Sequence, residues 1–475
     1  MKKKEKIILI AVFIVFICLI SIMFFFHDNW RDEAQAYLLC RDMKFSEIFK
    51  NAHYEGHPIL YYLILYPFVQ LGVGPKIVNI VSLFFMSLSV YLILFHTKLN
   101  LVQKICFVVT QPVLYEFSVI GRSYSLLFFL LIVFSILYPK RMEKPILIGI
   151  VLGLLLNTHL LIAGFVMINA FCFYGYELFI NKENDSFTKK KIIYSLVIFL
   201  LFCILLFLQF YPLLITNDGM SLNNNFSIKE FISNLGAFMF FVVDNMNYII
   251  RIMEFCVVSY LIILLFNKDK FMVTKLMLNY CYMALLCEYI FGGVAYHFSA
   301  VAFTVLLCSL LMSNRNISSS KTITISLLLI SVISIYSVFM YYNINFSHQF
   351  SDSYNTLKYI KKNISSESTL ICNSDYICSA LCPYLDNKFY HTNSERYFTY
   401  VIWDKKREQE VNFLNLDKFI SENRDIYYIF SEEAKEEYEF IHMKKEYELK
   451  ELYRTEKSIM SGEEYIVYKI IKKDI

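Results

Sequence analysis

The sequence predicts an α-helical polytopic membrane protein of about eleven transmembrane helices, ending in a small extracytoplasmic α/β domain. Three observations carry this expectation. Of 475 residues, 57% are hydrophobic and 18% charged, a balance too apolar for a soluble chain of this length. Apolar runs long enough to cross a hydrocarbon core of ~30 Å recur through residues 1–342. From residue 343 onward charged residues return, and short strand-like and helix-like stretches alternate.

The apolar runs fall near 7–26, 76–96, 101–119, 122–139, 145–160, 161–180, 192–214, 236–266, 272–292, 297–313 and 321–342. The first follows "MKKKEK" and lacks a small-residue cleavage site, so it reads as an uncleaved anchor. Basic residues set the orientation. With the N-terminus cytoplasmic, the inner segments hold 18 Lys and Arg, whereas the outer loops without the tail hold 8. The stretch "PILYYLILYPFVQLGVG" (58–74) is apolar enough for a short span, but counting it as one would turn "PKRMEK" outward. It is therefore expected to lie as a helix at the outer interface, which leaves the tail, 343–475, extracytoplasmic.

In the tail, "SDSYNTLKYIKKNI" and "LDKFISENRD" read as helices, and "STLICN", "KFYHT", "IYYIF" and "EYIVYKII" as strands. Its length of about 130 residues is enough to bury a core of its own. It contains no Gly-rich phosphate loop. The twelve cysteines lack paired CxxC spacing, and the cluster Cys372, Cys378 and Cys382 is odd in number, which argues against a closed disulfide framework. No basic patch interleaved with aromatics points to nucleic acid.

On this topology the outer turns collect polar residues that would be costly at membrane depth unless they line a site. The first outer loop (27–75) holds Arg31, Asp32, Glu33, Glu55 and His57; later turns add Glu116, Arg122 and Tyr124, then Asn157 and His159. Acids in the first turn of "DEAQAYLLCRD" complement the helix dipole, so capping accounts for Asp32 and Glu33 as readily as catalysis does. Helical geometry points the two apart, which leaves one of them for any given site. "HYEGHP" sets His53, Glu55 and His57 in a row, but it is not H-E-x-x-H, and Gly56 and Pro58 break the helix that would align the histidines. A turn shaping a site rim is expected there, and no metal ligand is assigned. Arg122 suits bidentate phosphate binding; its alternative is snorkelling to lipid headgroups.

The pairing of "DEAQAY" (32–37) with "YEGHPILY" (54–61), followed by "GRSYS" (121–125) and "NTH" (157–159), resembles the GT-C glycosyltransferases. The likeness is to the bacterial glycosyltransferase family 39-like branch, related to protein O-mannosyltransferases and lipid A aminoarabinose transferases. It covers residues 1–310 in architecture. "AYHFSA" (295–300) departs from it at Tyr296, where relatives often carry Arg.

The resemblance implies a hexosyltransferase-type enzyme of the bacterial plasma membrane. Its donor would be an undecaprenyl-phosphate-linked sugar held among membrane lipid, and its acceptor an extracytoplasmic glycan, lipid or protein. It also implies an inverting displacement with Asp32 as base and Glu33 beside it. Arg122, with Arg31 and His159, would hold the donor phosphate, while Glu116, Tyr124, His57, Glu55 and Asn157 would contact substrate. A divalent cation is left open as a cofactor. The competing reading, a transporter or flippase of lipid-linked sugars without chemistry, would need midplane ionisable residues and related halves. The sequence has no clear internal repeat, and its candidate residues cluster at the outer boundary.

Overall fold

The computed structural model describes residues 3–181, 185–216, 226–242, 248–289, 296–313, 319–348, 350–372, 374–423, 425–431, 438–455, 458–460 and 462–473. Helix α1 (Lys3–Phe26) leads into three short helices, α2 (Arg31–Asp42), α3 (Phe45–Glu55) and α4 (Leu60–Gln70). The bundle continues with α5 (Ile77–His96), α6 (Leu101–Val108), α7 (Tyr124–Leu137), α8 (Pro145–Leu156), α9 (Ala163–Gly175) and α10 (Ser186–Thr216). It closes with α11 (Ile228–Ala237), α12 (Tyr248–Lys268), α13 (Lys270–Tyr289), α14 (Tyr296–Met312) and α15 (Lys321–Phe346).

Among the described residues, six helical stretches are long and apolar enough to cross a membrane: Lys3–Phe26, Ile77–His96, Leu160–Ile180, Ser186–Leu213, Tyr248–Lys268 and Lys321–Phe346. The five other expected spans are built differently. Helix α13 has the length but carries Lys270, Lys275 and Glu288. The run 101–119 is not one helix: α6 stops at Val108, and Pro112, which lacks a backbone N–H, opens a single π-helical turn, Pro112–Glu116. The apolar stretches Tyr124–Lys140, Pro145–Leu156 and Phe298–Met312 are short. The twelve residues of α8 rise about 18 Å. That helix ends early because the Asn157 amide turns back onto the Gly153 carbonyl at 3.0 Å. These early endings let the turns at 109–123 and 157–159 enter the site.

The stretch 58–74 forms α4, whose eleven residues rise about 16 Å, too little to span. Its buried face, Tyr61, Tyr62, Leu65 and Val69, packs on α2 and on the tail. The first loop and the tail therefore lie on one side of the bundle.

The tail carries α16 (Ser353–Asn363), a single turn α17 (Asp375–Cys378) and α18 (Phe413–Glu422) beside a six-stranded sheet. Its strands are β1 (Thr369–Cys372), β2 (Lys388–His391), β3 (Arg396–Phe398), β4 (Ile426–Ser431), β5 (Tyr447–Arg454) and β6 (Tyr465–Lys472), in the order β3-β2-β1-β4-β6-β5. Strand β1 is parallel to β2 and β4; the other pairs are antiparallel. The four strands expected from sequence are present, and β3 and β5 add the two edges.

Strand side chains alternate faces with period two, so the central strands are apolar on both. One face, through Ile371, Tyr428 and Ile466, packs on Leu416 and Ile420 of α18. The other, through Leu370, Ile429 and Val467, shares one cluster with Leu357 and Ile360 of α16 and with Leu38, Tyr62 and Leu65 of the first loop. The tail therefore closes one core by itself, against α18, and shares the other with helices α2 and α4. Residues 343–475 expressed alone are expected to bind a dye for exposed apolar surface; no dye binding would contradict this.

Candidate active site

The first-loop site is built on Glu33. Its side chain is fully buried, and its carboxylate accepts from Asn79 Nδ2 (2.8 Å), His27 Nε2 (2.8 Å), the Trp30 backbone N–H (3.2 Å) and, through a short bond, the Gly121 N–H. Helix α2 thus receives its N-terminal cap from Glu33 and not from Asp32. The other ring nitrogen of His27 faces Asn345 Oδ1 at 2.8 Å, and Asn345 is oriented by its bond to the Tyr341 carbonyl. The two His27 nitrogens thus bridge the Glu33 carboxylate and the Asn345 side chain. Burial alone would raise the Glu33 carboxyl; His27, the Gly121 N–H and Lys76 outweigh it and hold it below its ordinary value. Gly121 must be glycine here, since a Cβ would sit 2.6 Å from Val78 Cγ2 and 2.8 Å from Glu33 Oε1.

Asp32 points the other way. Its side chain is 34% exposed, and Oδ2 lies 2.6 Å from Arg122 Nη1. Arg122 is held in place by three further neighbours: its guanidinium lies over Trp30 (5.7 Å) and Tyr124 (5.2 Å), and Nη2 faces His57 Nε2 at 3.3 Å. His57 Nδ1 lies 2.7 Å from the Glu55 carbonyl, which can only accept, so Nδ1 carries the proton and Nε2 offers a lone pair to Arg122. Burial and the Arg122 cation hold His57 down to about 4, which keeps that ring neutral. Glu55 accepts from Gln35 Nε2 (2.9 Å), and burial, reinforced by the charge of Asp32, pushes it up to about 8. One half-exposed carboxylate thus faces one cation, with the neutral His57 ring beside the pair.

The structure brings Tyr124 and His159 to the same centre. Their rings stack at 5.2 Å, and His159 meets His57 edge-on at 4.7 Å. His159 Nδ1 accepts from the Leu161 N–H at 3.2 Å, which leaves the proton on Nε2, a buried atom with no partner among the described residues. Glu116 lies close enough to Arg122 to interact with it by charge. Two expected residues face elsewhere. Asn157 spends its amide on the Gly153 and Phe202 carbonyls and on Gln209, joining α8 to α10. Arg31 turns to the tail, where its backbone N–H donates to Glu463 at 3.0 Å. The side chain of Tyr296 lies outside the described residues.

"HYEGHP" breaks as expected: Gly56 caps α3 in the left-handed region (φ 66°), and His57 lies beyond the helix that holds His53. No group of three or more His, Cys, Asp or Glu side chains among the described residues is arranged to hold a metal ion.

Sequence reasoning did not single out Trp30, Gln35, Asn79 or Gly121. Trp30 is one of two tryptophans in the chain, a composition signal that marks it only in hindsight. The partnerships of Asn79 and Gly121 depend on contacts that no local pattern encodes.

No protein-family model matches the chain, and no curated protein does. Its structure is similar to that of ArnT from Cupriavidus metallidurans bound to undecaprenyl phosphate, with a TM-score of 0.59, 9% identity, and coverage of 99% of this chain and 98% of that one. Against ArnT from the same organism in the apo state, the TM-score is 0.54 at 9% identity, over 96% and 97% of the two chains. The likeness shows the fold: this chain has the overall architecture of those two ArnT structures.

Proposed function

We propose that this protein is an integral-membrane glycosyltransferase that moves a sugar from a polyprenyl-phosphate-linked donor to an extracytoplasmic acceptor. The observation that carries this reading is the Asp32–Arg122 pair at 2.6 Å, formed by turns far apart in the chain. It sits in a fold shared with a protein solved with undecaprenyl phosphate bound. The side of the bundle that holds the first loop and the tail is read as the outer face.

In the proposed reaction, the acceptor hydroxyl gives its proton to the Asp32 carboxylate as its oxygen bonds to the anomeric carbon. The bond from that carbon to the phosphate oxygen breaks, its electron pair stays on the polyprenyl phosphate, and the anomeric configuration inverts. Arg122 faces the charge that gathers there. Its guanidinium offers five N–H donors, more than Asp32 and His57 engage. The Trp30 indole N–H is, like His159 Nε2, buried and without a partner among the described residues. A buried donor left unmet costs ~1–3 kcal/mol, and phosphate oxygens would supply the missing acceptors. Glu33 acts as a positioning residue.

Purified protein in nanodiscs, titrated with undecaprenyl phosphate and followed by native mass spectrometry, tests the assignment of Arg122. Arg122→Ala is expected to weaken binding about 10- to 100-fold, the loss of a charge-assisted contact. Unchanged lipid binding would count against it.

A further inference from the structure

A row of alternating cations and aromatic rings leads from the Asp32–Arg122 pair to the outer surface of the tail. Arg122 lies over Trp30 at 5.7 Å, and Arg31 lies over the same ring at 5.5 Å. Arg31 also lies over Tyr376 of α17 at 5.3 Å; Arg407 follows over Tyr376 at 5.7 Å and over Trp403 at 4.3 Å. All five distances are within the ~6 Å reach of a cation–π contact. Each arginine is held by its own carboxylate: Arg122 by Asp32 (2.6 Å), Arg31 by Glu463 (3.8 Å) and Arg407 by Asp375 (2.6 Å). Both tryptophans of the chain belong to the row, Trp30 buried at the inner end and Trp403 exposed at the outer.

The segment carrying Trp403 is fastened to the catalytic helix. The Gln35 side chain clamps Val401 at two points, donating to its carbonyl (2.8 Å) and accepting from its N–H (2.9 Å), and Thr399 Oγ1 donates to Asp42 at 2.5 Å. Gln35 also donates to Glu55. Trp403, two residues past the clamp, therefore has a fixed position relative to Asp32. Lys405 and Lys406 beside it are exposed.

We infer that the outer end of this row, Trp403 with Lys405 and Lys406, is an acceptor subsite that takes an anionic glycan, stacking a sugar ring on the indole and pairing its acidic groups with the lysines. The inference rests on the glycosyltransferase reading and gives its acceptor a chemical class. An aromatic face next to cations suits a ligand with apolar ring faces and negative charge. The continuity of the row with Arg122 favours a ligand aligned toward Asp32 over a lipid headgroup beside an isolated interfacial tryptophan.

The full-length protein in nanodiscs is titrated by calorimetry with three probes: a phosphorylated oligomannoside, the same oligomannoside without phosphate, and poly(glycerol phosphate), which has no sugar ring. The phosphorylated oligomannoside is expected to bind tightest. Trp403→Ala weakens it about tenfold, Trp403→Tyr restores most of the loss, and Lys405→Ser with Lys406→Ser removes the preference for phosphate. Equal binding by wild type and Trp403→Ala overturns the subsite, as does Trp403 fluorescence quenched by brominated lipids in the absence of probe binding, which would make Trp403 a membrane anchor. Probe binding that needs Trp403 in a protein without transferase activity would leave the subsite standing and refute the enzymatic reading, so the two fail separately.

Discussion

An Asp32→Asn protein is expected to insert, fold and hold the donor lipid, yet to transfer sugar about 10²- to 10⁴-fold more slowly, the usual contribution of a positioned general base. Asparagine keeps the shape of the side chain and can accept from Arg122 through its amide oxygen, so the site geometry survives. What it loses is the basicity that, in the proposed reaction, receives the acceptor proton. The loss should therefore fall on kcat, with affinity for undecaprenyl phosphate changed by no more than about twofold, because Arg122 remains in place. Wild-type turnover in this variant would remove Asp32 from the mechanism. A large loss of lipid affinity would mean that its duty is to orient Arg122.

The largest effect on stability is expected from the adjacent acid. Glu33→Ala strips the acceptor from four buried donors at once and leaves His27 facing a void, a change of the kind that costs ~3–5 kcal/mol. Glu33→Gln keeps the volume but not the charge and should fall between Ala and wild type. Gly121→Ala should resemble Glu33→Ala, since its Cβ would meet the Val78 backbone at 2.9 Å as well as the Glu33 carboxylate. Thermal unfolding in detergent checks the series. The pH dependence has a definite sign. The folded carboxyl of Glu33 lies below its ordinary value of 4.5, so its stabilisation is full above that value and is lost as the pH falls through the lower folded one. Glu33→Ala should accordingly lose its deficit relative to wild type in acid.

The contrast between these neighbours marks where the sequence stops being informative. Helical geometry says that residues 32 and 33 point apart, but not which one faces inward. That depends on Gly121, 88 residues away, and on Asn79, whose bonds to Glu33 decide the matter. Asp32 is left to Arg122, the cation that the turn "GRSYS" had already suggested for a phosphate. The membrane class and six of the long spans were legible because hydropathy and helix length respond to composition. The run 101–119 was not, because composition does not register the backbone donor missing at Pro112, and the end of α8 turns on a single Asn157 amide. The tail's strands were legible from alternation along the chain. The packing of one sheet face against Leu38, Tyr62 and Leu65 was not, since those residues belong to a loop some 300 positions earlier.

In the proposed reaction, the bond between a sugar and a polyprenyl phosphate is cleaved at the Asp32–Arg122 pair. The most direct measurement is the undecaprenyl phosphate released by the purified full-length protein in nanodiscs, given a panel of undecaprenyl-phosphate-linked hexoses and aminopentoses with an envelope-glycan extract as acceptor. Release from at least one donor, dependent on the extract and lost in Asp32→Asn, is the predicted result. No release from any donor, or equal release by Asp32→Asn, would contradict it.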